Sequence, residues 1–181
     1  AMGMLIDRME AEGLMENTLF IMLTDHGEAF YQHPMNYNHP LYVYDENIHV
    51  PMIMYNKKLF PTRYDYHGVT RHIDILPTIT DLLGIPDTTK REGLPMFAPR
   101  REQLALAFTT WKDEYLTVRD RRWKYIFRPS DGREELYDLA KDGHETANVA
   151  AAHPEVAARY RAVVEQGAGY ISAYHEKLKR R

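Results

Sequence analysis

A short apolar run that ends in charged residues constrains the fold of this chain more than any other segment. Residues 19–24 are mostly apolar, which is typical of a short strand buried on both faces in a parallel or mixed sheet. Residues 25–28, which follow directly, read Asp-His-Gly-Glu. In open α/β sheets, ligands bind outside the carboxyl ends of the strands. Asp25 and His26 at that position suit a divalent metal such as Zn or Mn, although a polar turn facing water would have the same sequence.

The composition excludes several classes of protein. The 181 residues carry a net charge of −3, which gives no reason to expect a nucleic-acid partner. The chain has no cysteine, so it can form neither a disulfide framework nor a thiolate metal site. No apolar run approaches the roughly 20 residues that a membrane-spanning helix needs. Hydrophobic residues at 44% and charged residues at 27% are typical of a globular domain.

The first half of the sequence alternates helical and strand patterns around a polar loop. Residues 4–13 have the pattern of the end of an amphipathic helix, and residues 48–55 that of a second strand. Residues 29–47, between the two strands, are rich in His, Tyr, Asn and Pro. Such a loop cannot form a core by itself and is best explained as the wall of a site. Residues 75–83 repeat apolar side chains at helical spacing, and Gly84 ends that helix.

The second half has a different pattern. Four β-like segments separated by turn residues predict an antiparallel meander, at residues 104–110, 115–119, 123–128 and 135–139. A long helix begins at His153 and Pro154. We therefore predict an α/β protein with two parts. Residues 1–95 form part of a mixed β-sheet flanked by helices, and residues 96–181 form a small antiparallel β subdomain with a long C-terminal helix.

Six segments of the chain, in this order, form the pattern of a known family. They are residues 17–28, 38–42 (Asn-His-Pro-Leu-Tyr), 44–51 (Tyr-Asp-Glu-Asn-Ile-His-Val-Pro), 71–84, 123–125 (Trp-Lys-Tyr) and 135–148. Together they resemble the C-terminal portion of the sulfatase family, within the alkaline-phosphatase-like superfamily. The resemblance runs over nearly the whole chain.

The resemblance implies a hydrolase that acts on sulfate or phosphate esters with a divalent cation and a Ser-, Cys- or Thr-derived nucleophile. In the family pattern Asp25 and His26 match metal ligands, and the cation is Ca, Mn or Zn. His39 matches a catalytic residue that contacts the ester or protonates the leaving oxygen. His33 is a second candidate for substrate binding, although a surface loop explains it equally well. Glu28 is expected to orient His26 rather than to bind the metal.

The sequence departs from the family pattern in two ways. The usual His-Gly is replaced here by His39-Pro40. The chain also has no Asp-Asp metal pair near its start and no Cys/Ser-x-Pro-x-Arg nucleophile segment. We therefore expect a C-terminal fragment that needs the N-terminal half of the same protein as its partner and is inactive alone. A membrane anchor upstream of residue 1 and the cellular location are left open.

Two other interpretations fit the same residues. The first is a phosphodiesterase, or a phosphoethanolamine or glycerol-phosphate transferase, of the same superfamily. An Asp-His pair at positions 25 and 26 favours it, because members of the superfamily that act on phosphate often carry this pair. The second is a non-catalytic interaction module that keeps the fold and a relic of the site. The expected partner of the enzyme is a small-molecule sulfate or phosphate ester. A relic site, by contrast, would bind no metal.

Overall fold

The computed structural model describes residues 2–86, 89, 91–99 and 103–179, without the side chains of residues 174, 175 and 178. The elements of its first half are α1 (Met2–Ala11), β1 (Phe20–Leu23), β2 (Ala29–Phe30), β3 (Tyr37–Asn38), α2 (Asp45–Ile48), β4 (Met52–Tyr55) and α3 (Ile75–Leu82). Short 3-10 helices lie at Leu14–Asn17 and His72–Asp74. The predicted helices and strands of this half are present, with shifted ends.

β1 and β4 pair as an antiparallel ladder, with Phe20 opposite Tyr55 and Leu23 opposite Met52. β4 begins directly after Pro51, which has no N–H to donate to a ladder. The second strand is therefore shorter than the predicted 48–55, and its first residue lies in α2 instead. β1 is half-buried rather than buried on both faces, because it has one neighbouring strand among the described residues.

The second half is the predicted meander followed by the long helix. It comprises β5 (Ala105–Thr109), β6 (Tyr115–Arg119), β7 (Trp123–Arg128), β8 (Arg133–Asp138) and α4 (Pro154–Lys179). The four strands pair in chain order, each antiparallel to the next. A 3-10 turn at Ala150–Ala152 precedes α4. The positions of these elements follow the sequence pattern to within a few residues.

The meander is covered on both faces, and this is what connects it to the candidate site. On one face, Tyr160 and Val164 of α4 pack with Val118 and Leu136 in the main core. On the other face, Val43 packs against neighbouring strands in a second cluster, with Tyr115, Ile126 and Tyr137. Two covered faces explain why five consecutive residues of β7, Trp123 to Phe127, are all buried. The polar loop that we predicted to form a site wall thus lies against the C-terminal sheet.

The described chain is an α/β fold, as predicted, with helices, small sheets and a long C-terminal helix. The division at residues 95 and 96 stays a prediction, and residues 100–102 beside it lie outside the described part. Thr109 of the second half donates a hydrogen bond to the carbonyl oxygen of Pro40 in the first, at 2.5 Å. No helix in the described ranges is long and apolar enough to cross a membrane.

Candidate functional site

The turn after β1 presents an imidazole nitrogen and a carboxylate side by side. Asp25 Oδ1 accepts the His26 backbone N–H at 3.1 Å, and Asp25 Oδ2 lies 3.6 Å from His26 Nε2. His26 Nδ1 lies 2.8 Å from the carbonyl oxygen of Gly27 and must donate to it. The neutral ring therefore keeps the lone pair of Nε2 for a ligand. Both side chains are open to solvent, so a small ion can reach them.

The polar loop brings a second histidine onto the first. The rings of His26 and His39 are stacked with their centroids 4.0 Å apart. His39 Nδ1 lies 3.4 Å from Glu28 Oε2, where it can donate a weak hydrogen bond. One potential ligand atom from each of His26, Glu28 and His39 lies within 4.8 Å of the others, the one such group in the part of the chain that the structure describes. Glu28, expected only to orient His26, thus lies at a distance suited to a ligand.

Gly27 packs directly against the backbone of α2, and this contact fixes the turn that carries His26. The Gly27 N–H donates to the carbonyl oxygen of Asn47 at 2.8 Å. A Cβ atom added at Gly27 would lie 2.1 Å from the carbonyl oxygen of Glu46, so only glycine allows this approach. Asn38, directly before His39, has φ +64°, a left-handed conformation that asparagine tolerates better than most residues. The backbone is therefore constrained next to each histidine, at Gly27 after His26 and at Asn38 before His39.

His33 lies in the same loop but has a different environment. It is 9% exposed and stacks on Tyr44, with ring centroids 3.7 Å apart. Its Nδ1 lies 2.6 Å from Glu46 Oε1 and its Nε2 lies 3.0 Å from the carbonyl oxygen of Glu145. Because both partners are acceptors, only the imidazolium form of the ring can donate to both of them. The structure does not bring His33 to the histidine pair, and no ring nitrogen is left for the substrate role expected of it.

The pKa values of this buried pair agree with the geometry. Burial alone would lower the pKa of His33, but its hydrogen bonds to the Glu145 carbonyl and the Glu46 carboxylate raise that pKa above its ordinary value. Burial alone would raise the pKa of Glu46, but the hydrogen bond from His33 holds it below its ordinary value. Each partner therefore stabilises the charged form of the other.

A buried ion network, which the sequence analysis missed, anchors α2 to the C-terminal sheet. Lys124 Nζ lies 2.9 Å from Asp45 Oδ1 and 2.7 Å from Glu145 Oε1, and the lysine side chain is fully buried. Arg119 adds a 2.6 Å contact to Asp45 Oδ2. The available signal was a lysine inside the apolar run Trp123 to Phe127, because a buried lysine needs paired acids.

The two acids of this network respond differently to burial. Burial alone would raise the pKa of Asp45, but the charges of Lys124 and Arg119 hold it below its ordinary value. Burial raises the pKa of Glu145 despite the neighbouring Lys124. Asp45 is therefore the firmly ionised partner of the lysine.

Two further polar residues, His72 and Asp74, lie in the short 3-10 helix before α3. His72 Nε2 lies 2.9 Å from the carbonyl oxygen of Thr24, the residue before Asp25, and donates to it. Asp74 is fully buried and accepts the Arg71 backbone N–H at 3.0 Å, at the start of the turn that leads into α3. Both residues lie at the turn that leads into α3, and His72 also connects that turn to the end of β1.

The donor set fits a divalent cation. Two imidazoles and up to two carboxylates, from Asp25, His26, Glu28 and His39, are the ligand types that Zn and Mn accept. Ca prefers more oxygen ligands than these residues supply. The part of the chain described here therefore offers an incomplete but chemically suitable set.

Comparisons with known proteins agree with the resemblance in the sequence. A family model described as Sulfatase matches residues 1–85. The chain is 28% identical to a Delta 4,5-hexuronate-2-O-sulfatase of Bacteroides thetaiotaomicron, over 82% of the chain and 34% of that protein. It is 28% identical to human arylsulfatase K, over 86% of the chain and 32% of that protein. The chain thus spans about a third of the length of these relatives.

The structural comparison gives the same result. A crystal structure of a candidate sulfatase from Bacteroides thetaiotaomicron superposes with a TM-score of 0.71 and 25% identity. The match covers 92% of this chain and 38% of the other. In the longer proteins the matching region is the C-terminal part. Residues 1–85 therefore match the sulfatase family model, and the chain as a whole is similar to the C-terminal portion of longer sulfatases.

Proposed function

We propose that this chain supplies part of the metal site and ester site of a sulfatase-type hydrolase. Asp25 and His26 bind a divalent cation, and His39 contacts the ester. The observation that carries the proposal is the group at the end of β1. There His26 Nε2 lies 3.6 Å from Asp25 Oδ2, and the His39 ring stacks on that of His26 at 4.0 Å.

The chemistry of each residue follows from its hydrogen bonds. A bound cation would offset negative charge on the sulfate group and lower the pKa of a nucleophile. The hydrogen bond to the Gly27 carbonyl oxygen occupies Nδ1 of His26, so Nε2 is the nitrogen that would hold a cation. Glu28 can accept from His39 Nδ1, so the opposite nitrogen, Nε2, is the one that would contact an ester oxygen. An imidazole can bind such an oxygen or protonate it near neutral pH.

The relatives suggest which ester to test first. One acts, by its name, on a 2-O-sulfated hexuronate, and the other is an arylsulfatase. We propose a small-molecule sulfate ester as the substrate class. A phosphate ester remains the alternative, because sulfate and phosphate esters present similar tetrahedral anionic groups. Calorimetry of the metal-loaded chain with phenyl sulfate and with phenyl phosphate distinguishes them, and binding of the phosphate alone would favour the alternative.

The nucleophile is not among these 181 residues in the form that the family pattern requires, since the sequence has no Cys/Ser-x-Pro-x-Arg segment. We therefore propose that the chain is catalytically inactive by itself and that another part of the polypeptide completes the site. Metal-dependent hydrolysis of an aryl sulfate by the purified chain would contradict this part of the proposal.

Calorimetric titration of the purified chain with Zn, Mn and Ca tests the metal site. We expect one site in the unaltered chain and its loss in Asp25→Ala and His26→Ala, because each substitution removes a ligand atom. Glu155→Ala is the matched control, since Glu155 is another exposed carboxylate next to a histidine, 4.0 Å from His153. Equal metal binding by Asp25→Ala and the unaltered chain would refute the assignment. Absence of binding to the unaltered chain would favour a relic site.

A further inference from the structure

We propose that Asn47 is a positioning residue that fixes the two histidine-bearing segments of the candidate site relative to each other. The inference rests on the proposed metal site, but Asn47 is not one of its ligands. It acts through Gly27 and His39, and no contact between Asn47 and a bound ion is involved. It lies in α2 and is only 3% exposed.

Asn47 contacts both segments, one through its backbone and one through its side chain. Its carbonyl oxygen accepts the Gly27 N–H at 2.8 Å, which fixes the turn between His26 and Glu28. Its side-chain Nδ2 donates to the carbonyl oxygen of Asn38 at 3.0 Å and reaches that of His39 at 3.5 Å. One residue therefore sets the separation of the two stacked rings.

Asn47 is itself held by buried neighbours. Its Oδ1 accepts from Asn36 Nδ2 at 2.7 Å, and Asn36 is fully buried. The same Asn36 nitrogen lies 2.8 Å from Glu46 Oε1, the carboxylate that also binds His33. A rigid amide in a network of satisfied partners cannot rotate without leaving buried polar groups unpaired.

An amide is the side chain that these contacts need. Oδ1 serves as an acceptor towards Asn36 while Nδ2 serves as a donor towards Asn38. An aspartate at position 47 could accept but would place a charge against the Asn38 carbonyl oxygen. An alanine would leave the Asn38 carbonyl oxygen and the Asn36 amide without the hydrogen bonds that they form with the Asn47 side chain. In both variants the segment that carries His39 loses its connection to the turn that carries His26.

Metal affinity and ring position are the measurements that separate positioning from general stability. We expect Asn47→Ala and Asn47→Asp to weaken binding of the metal that the unaltered chain binds most tightly, by about 10-fold or more, as is typical when a group that orients ligands is lost. We also expect the ring NMR signals of His26 and His39 to shift in both variants.

Asn56→Ala is the matched control. Asn56 is likewise buried, 5% exposed, and its Nδ2 donates to the carbonyl oxygen of Thr18 at 3.0 Å, away from the histidine pair. Its replacement should lower the stability but leave the metal affinity and the two ring signals unchanged. The same loss of affinity in Asn56→Ala as in Asn47→Ala would overturn the proposal, as would unchanged affinity and ring signals in both Asn47 variants.

Amide exchange in the unaltered chain provides a test that needs no variant. If Asn47 holds the turn, the Gly27 N–H should be protected from hydrogen exchange because it is bonded to the Asn47 carbonyl oxygen. Unprotected exchange at Gly27 would contradict the proposal even if both variants fail to fold. If the unaltered chain binds no metal, the metal site is refuted, and the ring signals and the Gly27 exchange still decide the role of Asn47.

Discussion

At position 27 any side chain would collide with the backbone of α2. The nearest atoms to an added Cβ would be the carbonyl oxygen of Glu46 at 2.1 Å, its carbonyl carbon at 3.0 Å and that of Asn47 at 3.2 Å. These are backbone atoms, which cannot rotate away as a flexible side chain can. The constraint at Gly27 is therefore one of close approach between two main-chain segments.

Replacement of Gly27 by alanine should separate the turn from α2. We expect a loss of about 1–3 kcal/mol in the free energy of unfolding, the usual cost of an overpacked site. Gly169→Ala is the matched control, because Gly169 lies within α4 with nothing within 4 Å of the added Cβ. That control should stabilise the chain by about 0.5–1 kcal/mol. Urea denaturation measures both, and a stabilised Gly27→Ala would contradict the close approach.

The sequence predicted the site residues that directly follow a strand, but not the contacts between residues that are far apart along the chain. The apolar run and the residues after it place Asp25 and His26 at the end of a strand. The stacking of His39 on His26 and the contact of Glu28 with His39 depend on how the loop folds back. No local pattern encodes that return, so the roles of Glu28 and His33 could be read only from the structure.

Among the elements, the hairpin of β2 and β3 is connected to α2 by the His33–Glu46 pair as well as by the hydrogen bonds of Asn36 and Asn47. His33, in the hairpin loop, has its Nδ1 2.6 Å from Glu46 Oε1 of α2, and each group favours the charged form of the other. The hairpin contains three non-glycine residues with positive φ, Tyr31, Met35 and Asn38, and such conformations are unfavourable by themselves. Buried contacts such as the His33–Glu46 pair therefore have to stabilise its shape.

The stability that this pair provides should depend on pH. Because the folded-state pKa of His33 is raised, its contribution is fully present below the ordinary value of 6.5 and is lost as the pH rises through the raised value. Because the pKa of Glu46 is lowered, its contribution is present above the ordinary value of 4.5 and is lost as the pH falls through the lowered value. The pair is thus most stabilising between these two ordinary values.

Comparison of His33→Gln with the unaltered chain at two pH values tests this. We expect the substitution to reduce the free energy of unfolding more at about pH 5.5 than at about pH 8.5, since only the imidazolium donates from both nitrogens. His67→Gln replaces an exposed histidine and serves as the control. A loss for His33→Gln that is the same at both pH values would contradict a raised pKa of His33 in the folded chain.

On the scale of the whole molecule, the site-bearing half and the meander are joined by buried charges. Lys124 projects from β7 and binds both Asp45 of α2 and Glu145, which follows β8. Tyr44 adds a hydrogen bond to Glu135 at 2.9 Å. The candidate site is therefore supported by the C-terminal sheet, although none of the proposed ligands comes from that sheet.

Removal of the central charge should disrupt this connection. Lys124→Met keeps the volume but leaves Asp45 and Glu145 as buried acids without the lysine, which should cost about 3–5 kcal/mol of unfolding free energy. Lys141→Met, whose lysine is exposed and 3.7 Å from Asp138, is the control and should change little. Chemical denaturation gives both values. Similar stability of the two variants would mean that the network does not hold the halves together.

Across the whole molecule, some elements could be predicted from the sequence and others could not. The meander and α4 were predictable because their apolar periodicity repeats over short distances along the chain. β1 was expected to be buried on both faces, but its burial depends on which strands surround it, and a sequence run does not specify its neighbours. Lys124 stood out within an apolar strand, yet its partners lie too far along the chain to be identified by spacing.

The buried hydrogen bonds that join the site-bearing half to the C-terminal half also affect the order in which the chain folds. The strands of the meander are joined by short turns, so their contacts can form early. The bonds from His33 to Glu145 and from Lys124 to Asp45 join residues 112 and 79 positions apart. Closing such long loops costs entropy before the new contacts compensate for it. The loop that carries His39 should therefore become ordered late, on a C-terminal sheet that has already formed.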